Sequence, residues 1–386
     1  MNSKAINAAS MKNINKYMIL KHIRTGNLSR SDLSRLTSLT RATITNIVDD
    51  LLRVGYVIEY GFNKPKIGKR GIKLAINGDY AYAIGVAITR FFYLVNVIDL
   101  NCKSIEEIRV NSEQFESRYD AMAFISEQIQ KFLDKYRNKI IGIGVASPGP
   151  IDSFKGTILN PPGMDEWHYF NVCQYLSDKF NLKCFIEKDI NSYAIMEKTF
   201  GAGAALNTFL EIFADEGIGS ALIINKELFS GMGQGCEFGH VSIDCFNGLP
   251  CPCGNIGCVE MYASIPKLLN AYAEKGLSYV SWRELTDSAY KDDNDALTII
   301  SAMARYLGSA LISFLNIINI NTIVVTGELS YRPDILFEKI EAIIKKQIIS
   351  KNTNIKIIPS KFNDIISQAS GNIVFEKLFN GELNNN

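Results

Sequence analysis

With 386 residues, 47% of them hydrophobic and 21% charged, the chain has an ordinary globular composition and room for two or three domains. Its net charge of +1 conceals an uneven distribution: residues 1–78 carry 14 Lys/Arg against 4 Asp/Glu, and the remainder carries 27 against 36. No apolar run reaches the length of a membrane span, since "ALISFLNIINI" is broken by Asn316 and Asn319. The start "MNSKAINAASMKNINK" lacks the apolar core of a secretory signal. A cytoplasmic protein without membrane insertion is expected, and eight cysteines in that setting favour metal or redox chemistry over structural disulfides.

The basic segment comes first. "NINKYMILKHIRTG" reads as a helix stopped by Gly26. "SRSD" at 29–32 has the spacing of a capping box, with Leu33 and Leu36 then expected to face inward. Thr40 can cap a third helix, "RATITNIVDDLLRVG", whose Ile44, Ile47, Val48, Leu51 and Leu52 form one continuous stripe. Ala42, Thr43, Thr45 and Asn46 are left pointing outward at its N-terminal end beside Arg41. "YVIEYG" and "IKLAIN" are β-rich runs around a basic loop, "FNKPKIGKR", which would make a wing.

This is the pattern of a winged helix-turn-helix that lays its third helix in a major groove. Arg41, Thr43 and Asn46 are the candidates for base edges; Lys64, Lys66, Lys69 and Arg70 of the wing are candidates for phosphate or minor-groove contact. A basic module on an acidic body is the charge footprint of a nucleic-acid reader, the alternative being a solvated basic surface.

From Tyr80 onward strands alternate with helices. "YAIGVAI", "YLVNVIDL" and "KIIGIGVASPGP" read as strands, and "FIEKDINSYAIMEKTFG" as a strand turning into a helix. "TFLEIFADEGIGSALIIN" reads as two strands about a turn, followed by a long helix over 296–320 and a strand at "TIVVTG". An α/β body of this size accommodates two lobes with a cleft.

Within it, "CPCGNIGCVE" (251–260) sets Cys251, Cys253 and Cys258 at C-x-C-x4-C spacing with Gly254 and Gly257 between them. Adding His240 gives a Cys3His set for tetrahedral zinc, structural because four protein ligands leave no open position. The alternative is three thiols packed as small apolar fillers or a redox pair. Cys102, Cys173, Cys184, Cys236 and Cys245 stand apart and are expected to be buried fillers.

"GQGCEFGHVSID" and "CPCGNIGCVE" together resemble the glycine-rich E-x-G-H segment and the C-x-C-G-x-x-G-C-x-E signature of the ROK family, which comprises repressors and sugar kinases. "SPGPID" and "EKDIN" resemble two further loops of that family, and the winged module resembles its repressor branch. The resemblance implies an actin-like (ribonuclease H-like), two-lobed sugar-kinase fold behind a winged helix-turn-helix. The expected divisions are residues 1–78, 79–200 and 201–386, with the C-terminal helix a candidate to return to the first lobe.

The resemblance also implies that Glu237, His240 and Glu260 hydrogen-bond sugar hydroxyls and that Asp189 faces the hydroxyl a kinase would phosphorylate. His240 would bind zinc through one ring nitrogen and offer the other to the ligand.

The kinase phosphate loops are altered. In "GVAITRF", Ala87 replaces the aspartate and Thr89 and Arg90 the glycines. "DEGIG" puts Asp215 and Glu216 where a polyphosphate would lie, and "VTGE" carries Thr326 and Glu328. Phosphotransfer is therefore expected to be lost, leaving a dimeric or tetrameric regulator of sugar genes that binds operator DNA. The effector is expected to be a sugar or sugar phosphate, and Lys188, in place of the usual Asn, would attract a phosphorylated or acidic one. The alternatives are an active sugar kinase with a DNA-binding arm, or a regulator sequestered by a transporter protein.

Overall fold

The computed structural model describes residues 8–62, 71–231, 235–350 and 354–383. In the N-terminal module, α1 (Ala8–Thr25) runs into β1 (Leu28–Ser29) and α2 (Arg30–Thr37), followed by α3 (Arg41–Val54), β2 (Val57–Phe62) and β3 (Ile72–Ile76). The strands pair antiparallel in the order β1-β3-β2.

Local chemistry sets these boundaries. Ser29 accepts from Asp32 N while Asp32 accepts from Ser29 N at 3.0 Å, closing the capping box. Thr40 caps α3 through Thr43 N, and Gly55, at φ +91°, ends it by sharing its N–H between the carbonyls of Leu51 and Leu52. Ile44, Ile47, Val48 and Leu51 are buried as expected. Leu36 is not: it is 55% exposed. On a helix of eight residues only one position meets the core, and Leu33 takes it; Leu36 lies about 60° round the helix, beyond the contact.

The body contains two sheets of the same design. The first is built from β4 (Tyr82–Ile88), β5 (Phe92–Asp99), β6 (Ser104–Asn111), β7 (Ile140–Ser147) and, after a small hairpin of β8 (Ile151–Asp152) and β9 (Thr157–Ile158), β10 (Cys184–Lys188). α4 (Arg118–Tyr136) and α5 (Val172–Phe180) lie between its strands in sequence, and α6 (Asp189–Phe200) follows it. Its order is β10-β7-β4-β5-β6, with β4–β5–β6 antiparallel and β7 and β10 parallel to β4.

The second sheet repeats the scheme with β11 (Phe209–Ala214), β12 (Ile218–Ile224), β13 (Glu227–Leu228), β14 (Thr322–Thr326) and β15 (Lys356–Pro359), in the order β13-β12-β11-β14-β15. Its helices are the short α7 (Glu260–Ala263), α8 (Ile265–Ala273), α9 (Trp282–Ala289), α10 (Asn294–Ile317) and α11 (Asp334–Gln347), and α12 (Ile366–Phe379) ends the described chain. This duplicated arrangement is the actin-like, two-lobed α/β architecture. α10 is long and apolar enough to cross a membrane, but half of it is buried in the second lobe, where Ile299, Met303, Leu307 and Leu311 join one core with residues of α9 and α11.

The last helix does not stay with the second lobe. α12 lies on the first sheet against β4 and β7 and also contacts α6 and α1. Glycines permit this approach: a Cβ at Gly144 would stand 2.1 Å from the Ser370 carbonyl oxygen, and one at Gly85 2.4 Å from Ser370 Oγ. Gly144→Ala therefore has to displace backbone rather than a flexible side chain. We expect it to cost about 1–3 kcal/mol or more, read as a fall in the calorimetric Tm of the full chain. An unchanged Tm would contradict this packing.

Candidate functional site

In the metal cluster, His240 closes a short turn (Phe238–His240), and the chain returns through two loose strands held by Ile243 N to Gly257 O at 2.8 Å and Val259 N to Val241 O at 2.9 Å. The thiol-bearing turn is closed by Gly254 N to Cys251 O and Cys251 N to Asn255 O, both 2.9 Å. Gly257 is at φ +74°, and a Cβ there would meet Asp244 O at 2.0 Å, so only glycine fits.

His240, Cys251, Cys253 and Cys258 bring one donor atom each to within 4.8 Å of one another. Cys251 Sγ lies 3.7 Å from His240 Nδ1, and Cys253 Sγ lies 3.7 Å from Cys258 Sγ. Two thiolates bound about 2.3 Å from a tetrahedral centre lie about 3.8 Å apart, so the donor set fits zinc; a disulfide would need about 2.05 Å. Burial and then the neighbouring thiols push Cys258 up to about 12, a balance that a divalent cation reverses.

The other cysteines are only partly as expected. Cys102 and Cys173 are buried and Cys184 and Cys236 half-buried. Cys245 is exposed, on the loop outside the cluster. Cys184 is not isolated either, since its thiol faces Cys173 across the packing of α5 on β10.

The loop that carries the cysteines ends at Glu260, the first residue of α7, which places both ends of the cluster beside the interlobe cleft. That cleft, of about 230 Å³, is lined by Thr89 and Arg90 from the β4–β5 turn, Lys188 and Asp189 from the β10–α6 junction, and Asp215 to Gly217 from the β11–β12 turn. Tyr193, Glu237, His240 and Glu260 complete it. The four residues expected to meet a ligand, Asp189, Glu237, His240 and Glu260, are thus brought into one cavity.

Asp189 opens α6 and accepts from Ile190 N at 2.7 Å. Burial pushes its carboxyl up, Glu237 adds to that, and the amide, Lys188 and Arg90 oppose it. Glu260 Oε2 accepts from Ile218 N at 2.9 Å and so ties the metal loop to the β11–β12 turn.

Lys188 does not reach into the cleft as a free cation. Its side chain is 3% exposed, and Nζ is 2.6 Å from Glu237 Oε1 and 3.2 Å from Gly235 O. The charge that pointed to an acidic effector is already neutralised, because a buried ammonium needs a partner. With Arg90 and Lys188 set against Asp189, Asp215, Glu216, Glu237 and Glu260, the cleft is acidic.

Of the loops expected to have lost phosphate binding, those at Thr89–Arg90 and Asp215–Gly217 line this cleft, and Thr326 and Glu328 are not among its lining residues. Thr89 Oγ1 closes its turn by accepting from Phe92 N at 3.0 Å. Thr326 is buried and donates to Glu211. Glu328 is clamped by Arg283 through two bonds of 2.9 Å.

In the winged module, Arg41 and Asn46 are exposed at the start of α3, whereas Thr43 is half-buried with its hydroxyl 2.9 Å from Thr40 Oγ1. Lys64, Lys66, Lys69 and Arg70 lie outside the described residues. The positive excess is partly paired off: Arg30 binds Asp49 at 2.7 Å and Glu59 at 3.0 Å, and Arg35 binds Asp32 at 2.6 Å.

Sequence reasoning missed Arg24. It leaves α1 with its side chain 3% exposed, pairs with Glu376 at 2.6 Å, donates to Asn372, and lies over the rings of Phe379 and Phe200 at 4.4 and 5.1 Å. A lone Arg after "MILKHI" was the only local signal.

The fold and cleft define a sugar-kinase-like body joined to a winged helix-turn-helix. The ROK family model matches residues 84–374, and the chain belongs to this family. It is 30% identical over 377 residues to the xylose repressor of Caldicellulosiruptor bescii, covering 93% of this chain and 94% of that one. It is 26% identical over 392 residues to the DNA-binding transcriptional dual regulator NagC of Escherichia coli, covering 98% and 96%. Among solved structures, a ROK family transcriptional regulator described as a homolog of the E. coli MLC protein superposes with a TM-score of 0.80 at 23% identity, covering 97% of this chain and 98% of that one. A ROK family glucokinase from Streptomyces griseus, in complex with glucose and AMPPNP, gives 0.64 at 20% identity, covering 76% and 99%.

Two outcomes follow from this geometry. Cys253→Ser should purify with less than the full complement of zinc by atomic absorption while retaining its helical circular dichroism; unchanged metal content would reject Cys253 as a ligand. The second concerns pH. Burial and then Glu328 raise Asp215 to about 6, and desolvation in the cleft and then Asp215 raise Glu216, exposed as a residue, to about 7. The native state then holds protons that the unfolded chain releases near pH 4, so these groups favour folding at low pH and that contribution is lost as pH rises to about 7. The Asp215→Asn/Glu216→Gln variant should show a flatter Tm–pH profile between those limits, and an identical profile would contradict the assignment.

Proposed function

We propose that this chain is a sugar-responsive, DNA-binding transcriptional repressor of sugar uptake or catabolism genes, acting in the cytoplasm without phosphotransfer. The observation that carries this reading is one cleft that gathers Asp189, Glu237, His240 and Glu260 together with the acidic pair Asp215 and Glu216. Asp215 and Glu216 stand beside Asp189 in the same cavity, so a polyphosphate would meet a field of its own sign. Relatives named xylose repressor and N-acetylglucosamine repressor align over nearly the whole chain and support the reading.

The effector this cleft suits is an uncharged sugar. Carboxylates accept from hydroxyl groups in pairs, and the single buried ammonium is committed to Glu237. Zinc held by His240, Cys251, Cys253 and Cys258 would fix the imidazole through Nδ1 and leave Nε2 to a sugar hydroxyl. The metal would also pin Glu260 through the loop they share. Its role is structural. Residues 1–78 would form the DNA-binding unit and the two sheets the lobes of the sensor.

Arg41 and Asn46 would reach base edges, Thr43 having its hydroxyl engaged at the cap, and the wing cations would hold phosphate. A two-fold dimer would require a pseudo-palindromic operator, and closure of the lobes on the sugar would change the spacing of the two modules. Asn46→Ala should weaken binding to the chain's own upstream DNA by about 1–3 kcal/mol while leaving random-sequence DNA nearly unaffected, measured by competition gel shift. Equal weakening on both would reduce Asn46 to a backbone contact, and no sequence-dependent binding by the wild type would end the repressor reading.

A further inference from the structure

A second cavity lies where the winged module meets the body, and its charge is opposite to that of the cleft. This groove, of about 780 Å³, is walled by α1, by the C-terminal turns of α6 and α12, and by the β12–β13 turn. Each part of the molecule contributes a basic group: Lys21 and His22 from α1, Lys198 from α6 and Lys226 from the β12–β13 turn. Among the described residues none of the four makes an ion pair, although most arginines of the winged module do.

The acidic residues of the groove are few. Glu376 is committed to buried Arg24, which leaves Glu227 at the rim. Lys226 sits at φ +63°, in the left-handed region, beside His22. Burial and then Lys226 hold the His22 imidazole below its usual range, so it serves as a neutral hydrogen-bonding group and the positive charge of the wall comes from Lys21, Lys198 and Lys226.

We propose that this groove is a second ligand site, distinct from the interlobe cleft, which binds a small phosphate-bearing anion. The bound phosphate would be shared by α1, α6 and the β12–β13 turn. Cations on three separate elements converging on one cavity of drug-sized volume supply the charge and the reach for a mono- or diphosphate. An acidic cleft excludes phosphate, whereas this groove attracts it, so a phosphorylated metabolite would report to the protein here. Because α1 belongs to the winged module and α6 opens at Asp189 in the cleft, an anion bridging them would restrain how the module moves when the lobes close. That regulatory consequence rests on the repressor reading; the binding itself does not.

Isothermal titration calorimetry of the full chain with inorganic pyrophosphate, at constant ionic strength and without DNA or sugar, tests the site. The expected result is saturable binding that becomes on the order of tenfold weaker or more in Lys198→Gln/Lys226→Asn, since two charge-assisted contacts are lost. Asn keeps the left-handed backbone at 226, and the variant's fold is checked by its Tm. The cleft variant Arg90→Gln should bind pyrophosphate as the wild type does. No binding, binding unchanged in the double variant, or binding lost only in Arg90→Gln would each overturn the proposal. So would a double variant that lowers the salt dependence of operator binding while pyrophosphate binds neither protein, because the groove would then be a contact for the DNA backbone. Failure of the calorimetry leaves the repressor reading standing, since neither DNA nor sugar enters it.

Discussion

The rest of the molecule depends on how closely α12 lies on β4 and β7. Backbone meets backbone there because Gly85 and Gly144 have no side chains, and a methyl group at either would overlap Ser370. The helix that follows the second sheet is thereby fastened to the first, which ties the two lobes together. The same helix turns Asn372 and Glu376 toward α1 and buries Arg24 between Phe200 and Phe379. A guanidinium removed from water and held by a carboxylate, an amide oxygen and two rings leaves few orientations open to the module that carries it. Sheet, last helix and winged module are therefore mechanically continuous.

Charge divides the molecule into functions. The interlobe cleft gathers five carboxylates against two cations, one of them internally paired, which suits hydroxyl-rich neutral ligands and opposes phosphate. The Cys3His cluster stands beside that cleft, and its geometry sets His240 and the start of α7 in register with the β11–β12 turn. On the proposed reading, a kinase-like body with an acidic cleft would keep lobe closure as its response to sugar. Through the contacts of α12 with α1, that response would reach the DNA-binding module as a signal.

Much of this was legible in the sequence where the determinants are local. The capping box at Ser29–Asp32, the Thr40 cap and the Gly26 stop act within four residues, and each formed as read. The C-x-C-x4-C spacing with its glycines placed three donors before any fold was known, and His240 joined them. What depended on distant packing was not legible. Leu36 satisfied the helical pattern but faces water because its helix is too short to cover two positions. Lys188 looked like a ligand-seeking cation until Glu237, 49 residues away, was found at 2.6 Å. Nothing near Arg24 announces Glu376, 352 residues downstream. The duplicated sheet order is likewise a matter of strand pairing across long separations, which alternating hydrophobicity does not encode.

On the proposed reading, a neutral sugar in the acidic cleft changes the grip of the winged module on DNA. Fluorescence anisotropy of the full chain on its own upstream DNA, titrated with a panel of neutral sugars, tests it most directly when repeated with Asp189→Asn. One neutral sugar should release the DNA from the wild type, and the variant should bind DNA equally well but no longer respond. Release by no sugar, or equal release from the Asp189→Asn variant, would contradict it.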